Sequence, residues 1–429
     1  MSHSPSPVSL KDAKAICEAG PLKAPIWLKA LLFILILVGA ATFFLKYGGD
    51  KRAALVSLQV NFIYWFLLSA AASCFAAVFQ ICNAQWSRPL RRVFESAHVF
   101  LLFSVLPMIA LYFNAGELFQ WVHEPAIGKE GWLTPKFLYS RDLIAILIFA
   151  FLAKKLISYS LSRDIGAIRG GLVDLSSDAK ERWADKRYDR YVSGFGSNTK
   201  QAIAEITGNM GRLSPVLIIV YSLVMSLVAF DQIMSVDYHW YSTLYGVLYF
   251  MGGAYLTFAW VGISVPWLRK FHPLFKAKIE RRTLHDAGKL LFGFGIFWAY
   301  MFWSHYLPMW YGNIPEETGW VIIRLRQEPW HTLAWTVFGA CFVVPFFLGL
   351  SRDVKQVPFL LAATGTIVAV GLWLQQYILF APTLYPENIP LDLMDIGIYA
   401  GFMGAFLLCC FSYLEKVPLM PFGDLYAEV

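Results

Sequence analysis

The run LSPVLIIVYSLVMSLVAF, residues 213–230, carries no charge over eighteen positions, and DQIMSVDYHW, residues 231–240, follows it at once. A helix needs about 20 apolar residues to cross a bilayer, and this run has that character. Two carboxylates and a histidine stand where it ends. An ionisable group at such an edge is costly unless it is paired, hydrated or used, which marks Asp231 as a functional candidate.

Composition extends the membrane reading to the whole chain. Of 429 residues, 58% are hydrophobic and only 15% charged, and the mean hydropathy is +0.53. Soluble domains have about 45–50% apolar and about 25% charged residues. A chain this apolar cannot cover its own surface, so lipid must cover it. Aromatic residues reach 17%, with 16 Trp and 21 Tyr, as suits interfacial belts where amphipathic rings sit at headgroup level. The cysteines, Cys17, Cys74, Cys82, Cys341, Cys409 and Cys410, form no CxxC, CxxCH or zinc spacing. Five of them fall in apolar runs and read as small packing residues. The chain is therefore expected to hold no c-type haem, iron–sulfur cluster or metal of its own.

Ten segments are long and apolar enough to span: 27–46, 57–82, 96–115, 136–160, 213–235, 240–266, 287–311, 330–351, 357–381 and 394–415. The expected fold class is an all-α integral membrane protein. Segment 1–26 precedes the first span, four spans fill 27–160, a loop occupies 161–212, six spans fill 213–415, and 416–429 form a tail. A polar start with Lys11, Lys14 and Lys23, and no small-residue cleavage site after the first apolar run, predict an uncleaved span rather than a signal peptide. A cytoplasmic N-terminus puts 28 of the 36 Lys and Arg residues on the inner side, so the positive-inside rule predicts both termini in the cytoplasm. Within the 162–212 loop, Asp178 to Tyr191 alternates in charge and reads as a short surface helix. Gly252-Gly253, Gly293, Gly295 and Gly397-xxx-Gly401 read as packing positions.

In this orientation Asp231, Asp237 and His239 lie at the outer end. A histidine beside a half-desolvated carboxyl can pass protons near neutrality. The plainer alternative makes Asp237 a helix cap and His239 an interfacial residue. At the inner end His285 and Lys289 share a helical face beside Asp286, a candidate inner mouth of a proton path. Against that, an acid in the first turn simply suits the helix dipole. The same span ends at the outer side in His305, Tyr306 and Trp310, followed by Glu316 and Glu317. Such groups suit hydrogen bonding to a quinone carbonyl and acceptance of quinol protons. An aromatic belt and a capping turn explain them equally well, and Arg324 and Arg326 stand near enough in sequence to neutralise the two acids. Arg141 and Asp142 open the fourth span and read as a pair or as facing water. Asn61, Gln80, Gln375 and Gln376 read as ties between helices. A bis-histidine haem is not expected, because His98, His285, His305 and His331 all avoid the apolar middle.

The segments MSVDYHWYSTLYGVLYF (234–250) and HDAGKLLFGFGIFWAYMFWSHYLPMWYGNIPEET (285–318) resemble the F subunit of bacterial alternative complex III. That complex is a quinol:cytochrome c (or acceptor) oxidoreductase, and the subunit belongs to the NrfD-like and polysulfide-reductase membrane-subunit group. The resemblance covers nearly the whole chain. It implies two four-helix bundles, spans 2–5 and 6–9, flanked by spans 1 and 10. It also implies a subunit of the bacterial inner membrane, within the respiratory chain, that carries no redox centre. The implied partners are a sister ten-helix membrane subunit, an iron–sulfur subunit and multihaem c-type cytochrome subunits, which would carry the haem and the clusters. Membrane lipids would surround the assembly, with no nucleic acid involved. Quinol or menaquinol would be the ligand, and this chain would offer proton translocation through a half-channel or a second quinone pocket. Asp237, His239, His285, Asp286, Lys289, Glu316 and Glu317 fall within these two segments, and Asp231 stands three residues before the first; the resemblance implies a role for all eight. Two other readings stand beside this one. The quinol-binding anchor of a polysulfide- or nitrite-reductase-type complex would show a deep His/Asp pair. A secondary transporter would show helices broken near the midplane in corresponding spans, and no matched Gly/Pro breaks occur.

Overall fold

Twenty or more apolar residues in lipid must satisfy their own backbone, and the helix is the only open-chain way to do so. In the computed structural model, which describes residues 8–196 and 198–426, ten such helices form. They are α1 (Ile26–Gly49), α2 (Lys51–Ile81), α3 (Gln85–Phe113), α4 (Pro135–Arg169), α5 (Thr199–Val236), α6 (Tyr245–Phe271), α7 (Arg281–Gly312), α8 (Trp330–Leu350), α9 (Pro358–Phe380) and α10 (Leu393–Leu414). No strand occurs among the described residues. Residues 1–7 of the N-terminal segment and 427–429 of the tail lie outside the described residues.

Local signals set several ends. Pro135 sits in the first turn of α4, where Thr134 Oγ1 accepts from Phe137 N at 3.4 Å. Asp392 and Asp395 form a capping box at the start of α10. Asn313, at φ 47°, closes α7 in the left-handed conformation that asparagine tolerates. Helices α4 and α5 reach well into the expected 161–212 loop, because hydropathy marks the lipid boundary and not the end of the helix. The expected surface helix at 178–191 is two pieces, Ser177–Trp183 and Asp189–Val192, joined through a 3₁₀ turn at Lys186–Tyr188.

Helix α5 packs on α4 and α2, while α6 packs on α9 and α7. These contacts define one bundle of α2–α5 and another of α6–α9, meeting where α6 touches α5 and α2. Helix α2 is the centre of the molecule: 89% of its most apolar window is buried, against 11% for α1. The flanking helices α1 and α10 pack on each other and against α2. Their contact is backbone to backbone, because a Cβ on Gly39 would lie 2.5 Å from Gly401 Cα. Small residues of this kind let helices approach in lipid, where no hydrophobic force drives them together. At the outer end of the same interface the buried Lys46 Nζ lies 2.5 Å from Asp395 Oδ2 and donates to Pro390 O at 3.1 Å. Tyr377, from α9, donates to Asp395 Oδ1 at 3.2 Å.

The inner end holds a second buried network. Arg92 pairs with Glu95 and Asp164, and Glu95 also accepts from Ser160 Oγ and Tyr413 OH, each at 2.8 Å. The tail completes it: Phe422 N and Gly423 N donate to Asp164 Oδ1 at 3.1 and 2.7 Å, and Arg88 pairs with Asp424 at 2.8 Å. Burial alone would raise the Asp424 carboxyl, but Arg163, Arg88 and Arg91 around it win and push it down to about 2.

Two outcomes follow from this packing. Gly401→Leu should separate α1 from α10 and lower the thermal stability of the detergent-solubilised protein by about 1–3 kcal/mol or more, read by thermal unfolding. Because Asp424 is depressed in the folded state, its contribution is present above its ordinary value of 3.8 and is lost as pH falls toward 2. Protease access to the tail should therefore rise across that interval, and Asp424→Asn should show raised access already at neutral pH.

Candidate functional site

The second bundle holds a cavity of about 850 Å³ at its outer end, walled by α7, α8, α9 and the helix Pro315–Leu325. Helix α7 packs chiefly on the 339–350 half of α8. A π turn at Gly339–Val343 re-aims α8 at that level, just ahead of Pro345, which has no N–H to give. Toward the outer end the two helices part, and the cavity fills the gap. Exposed Trp303 and Trp335 stand at its mouth, facing where lipid would be.

Most of the wall is apolar or aromatic, including Leu248, Ala299, Phe302, Met309, Phe338 and Phe342. A few polar groups converge on it. His305 is 6% exposed; its Nδ1 lies 3.0 Å from Ser242 Oγ, and its Nε2 has no partner in the protein. The imidazole is boxed in by Trp240, Tyr245 and Trp320, with Trp240 and Trp320 stacked at 4.2 Å. Gln375 accepts from Trp298 Nε1 at 3.1 Å. Arg324 is buried, with its guanidinium 3.8 Å from the Trp320 ring centre, and it donates to the carbonyls of Ile378, Trp320 and Leu379 at 2.9, 3.0 and 3.2 Å. Burial pushes Arg324 down to about 10, so it stays cationic at neutral pH. The cavity thus offers the buried Arg324 charge and the unpartnered Nε2 of His305 in a largely apolar and aromatic wall, to which Arg326, Glu328 and His331 also contribute.

Of the residues expected to bind quinone, His305 and Tyr306 line this cavity, while Trp310 is 59% exposed on the outside of α7. Glu316 and Glu317 lie in the first turn of the 315–325 helix, Glu316 exposed, and neither pairs with Arg324 or Arg326. Arg324 turns inward to backbone carbonyls instead, a use of arginine that its sequence neighbours gave no sign of.

The expected proton-path residues do not form one path. Asp231 is buried and held by Arg141 in a two-pronged pair, Nε to Oδ2 and Nη2 to Oδ1, each 2.6 Å. Arg141 also donates to Trp132 O at 2.8 Å and lies over the Trp132 ring at 3.9 Å. Asp231 is thus the anionic half of a charge pair between α4 and α5, and Arg141 pairs with it rather than with Asp142. Asp237 is partly exposed and does not cap α6, which starts at Tyr245. His239 is exposed and packs on Tyr238, with ring centres 4.0 Å apart and the planes tilted by 37°. His285, Asp286 and Lys289 lie at the opposite, inner end of the molecule. Lys289 is 56% exposed there and pairs with Asp286 at 2.7 Å, a surface pair worth little by itself.

Two of the four polar tie residues join helices: Asn61 accepts from Trp373 Nε1 at 3.2 Å, and Gln375 binds Trp298. Gln376 instead donates to its own helix at Leu372 O. Two further amides, not expected as ties, join α2 to α5: Gln59 Nε2 donates to the backbone carbonyl of Gln232 at 2.9 Å and to its Oε1 at 3.1 Å. Their signal was available, as amides inside or at the edge of apolar runs.

No family model and no curated protein matches this chain.

Removing one partner of the α4–α5 pair should expose the other as a buried unpaired charge. Arg141→Met should cost about 3–5 kcal/mol of stability, and Arg141→Met combined with Asp231→Leu should recover most of it. Thermal unfolding of the wild type and the two variants in one detergent checks this.

Proposed function

We propose that this chain is a non-redox membrane subunit of a bacterial respiratory quinol:acceptor oxidoreductase, and that its own part is a quinone pocket in the second bundle. The observation that carries the reading is the outer-end cavity. Its volume of about 850 Å³ falls in the range of small-molecule sites, roughly 300–1,000 Å³. A quinone has a flat ring, two carbonyl acceptors and a long apolar tail. The cavity matches each part: aromatic walls for the ring, His305 Nε2 and the Arg324 charge for a carbonyl or hydroxyl, and a mouth between α7 and α8 for the tail.

The Ser242–His305 contact gives the imidazole a use beyond binding. When Ser242 Oγ donates to Nδ1, Nε2 carries the hydrogen and donates to a quinone oxygen. When Nδ1 carries the hydrogen, Nε2 accepts from a quinol hydroxyl. One ring can therefore greet either redox state of the ligand. Arg324, cationic at neutral pH, favours the state with more negative charge on the ring oxygen.

Within the assembly, electrons would leave the quinol through clusters and c-type haems on an iron–sulfur subunit and multihaem cytochrome subunits, beside a sister ten-helix chain in the inner membrane. The sequence resemblance over 234–250 and 285–318 supports that placement. This chain supplies the membrane-side pocket.

Five tryptophans, Trp240, Trp298, Trp303, Trp320 and Trp335, line the cavity or pack on its His305. A quinone bound there quenches their fluorescence. Titration of the purified chain with a short-chain naphthoquinone should give saturable quenching, weakened about tenfold in His305→Ala, the loss of one hydrogen bond. Linear, unsaturable quenching that is identical in the variant would sink the pocket.

A further inference from the structure

The Arg141–Asp231 pair has a third member. Asp142 is 0% exposed, and its carboxyl lies against that of Asp231. Asp142 Oδ2 accepts from Gln232 Nε2 at 2.7 Å, while its Oδ1 has no partner in the protein. Two further buried atoms of the same neighbourhood are also without partners, Gln59 Oε1 and Tyr139 OH. One guanidinium therefore stands beside two carboxyl groups in a region closed to bulk water.

Two carboxylates in contact repel, and Arg141 is already engaged by both oxygens of Asp231. A buried carboxylate with no cation of its own is strongly unfavourable. A carboxylic acid removes both difficulties. It is neutral, and its O–H gives the unpartnered oxygen a donor role, with spare lone pairs on Asp231 to receive it. Geometry and charge counting converge on the same atom.

We propose that Asp142 holds an exchangeable proton, shared with Asp231 and released to the outer end past Arg141 and Trp132. On release the O–H bond of Asp142 breaks, the electron pair stays on its oxygen, and the proton passes to water beside Arg141. That side chain, 11% exposed, is the member of the triad nearest solvent. Uptake is the reverse. The groups facing Asp142 are Arg141 and Tyr139 from α4, Asp231 and Gln232 from α5 and Tyr249 from α6, with Gln59 of α2 behind Gln232. The site lies in the first bundle and stands independently of the quinone pocket in the second.

Infrared spectroscopy of the full chain in detergent at neutral pH tests this directly. The expected result is a carboxylic-acid C=O band that shifts when D₂O replaces water, vanishes in Asp142→Asn and moves without vanishing in Asp142→Glu. Asparagine copies the shape of the protonated acid, so that variant should fold, and the glutamate variant tests the assignment separately. A wild-type spectrum with no acid band that these substitutions alter would overturn the proposal. So would a band at Asp142 that D₂O leaves in place, because that proton does not exchange.

Discussion

Lipid offers nothing to solvate a charge, so every deep ion in this protein has to be answered by another helix. The pair of Lys46 with Asp395 joins α1 to α10, Arg141 with Asp231 joins α4 to α5, and Arg92 with Asp164 joins α3 to α4. Each is an interhelix bond that apolar packing could not specify. Leucine against leucine is as content in lipid as in a bundle, whereas a buried arginine needs acceptors placed to match its planar fork of donors. The register of the helices is fixed by these few contacts, and the glycine contact of Gly39 with Gly401 sets how closely α1 and α10 may run.

Ten helices and their order were legible in the sequence because hydropathy over twenty residues is a strong and local signal. Their ends were less so. Helix α4 continues through Arg163 and Asp164 because these residues are buried in the inner network, which no count of apolar residues reveals. The partner of each charge was the least legible feature. Asp231 read as one of a group with Asp237 and His239, since its cation lies ninety positions away in sequence. Glu316 and Arg324 read as natural partners, since they are close in the chain. Burial reversed that expectation, drawing Arg324 inward to carbonyls and leaving Glu316 in water.

The candidate site was legible in part. His305 and Tyr306 stood out as polar residues at the end of a long apolar helix, and both line the cavity. The remainder of its wall comes from α8, α9 and the 315–325 helix, whose convergence depends on a π turn and on the parting of two helices. Neither has a sequence signature short enough to recognise. Asp237 and His239 lie at one end of the molecule and Lys289 at the other, so the expected proton-path residues, drawn from two separate stretches of sequence, do not meet in space.

The strap formed by residues 422–424 carries a consequence for how the protein is made. Asp164 and Arg88 belong to the early helices, and Asp164 meets Arg92 there, yet Phe422 N, Gly423 N and the Asp424 carboxylate, which bond them as well, are translated only after all ten spans. Until then the inner network of the first bundle lacks the bonds that the tail supplies. Completion is thus a late event in biogenesis, and a bulky fusion placed immediately after α10 would interrupt it while leaving membrane insertion untouched.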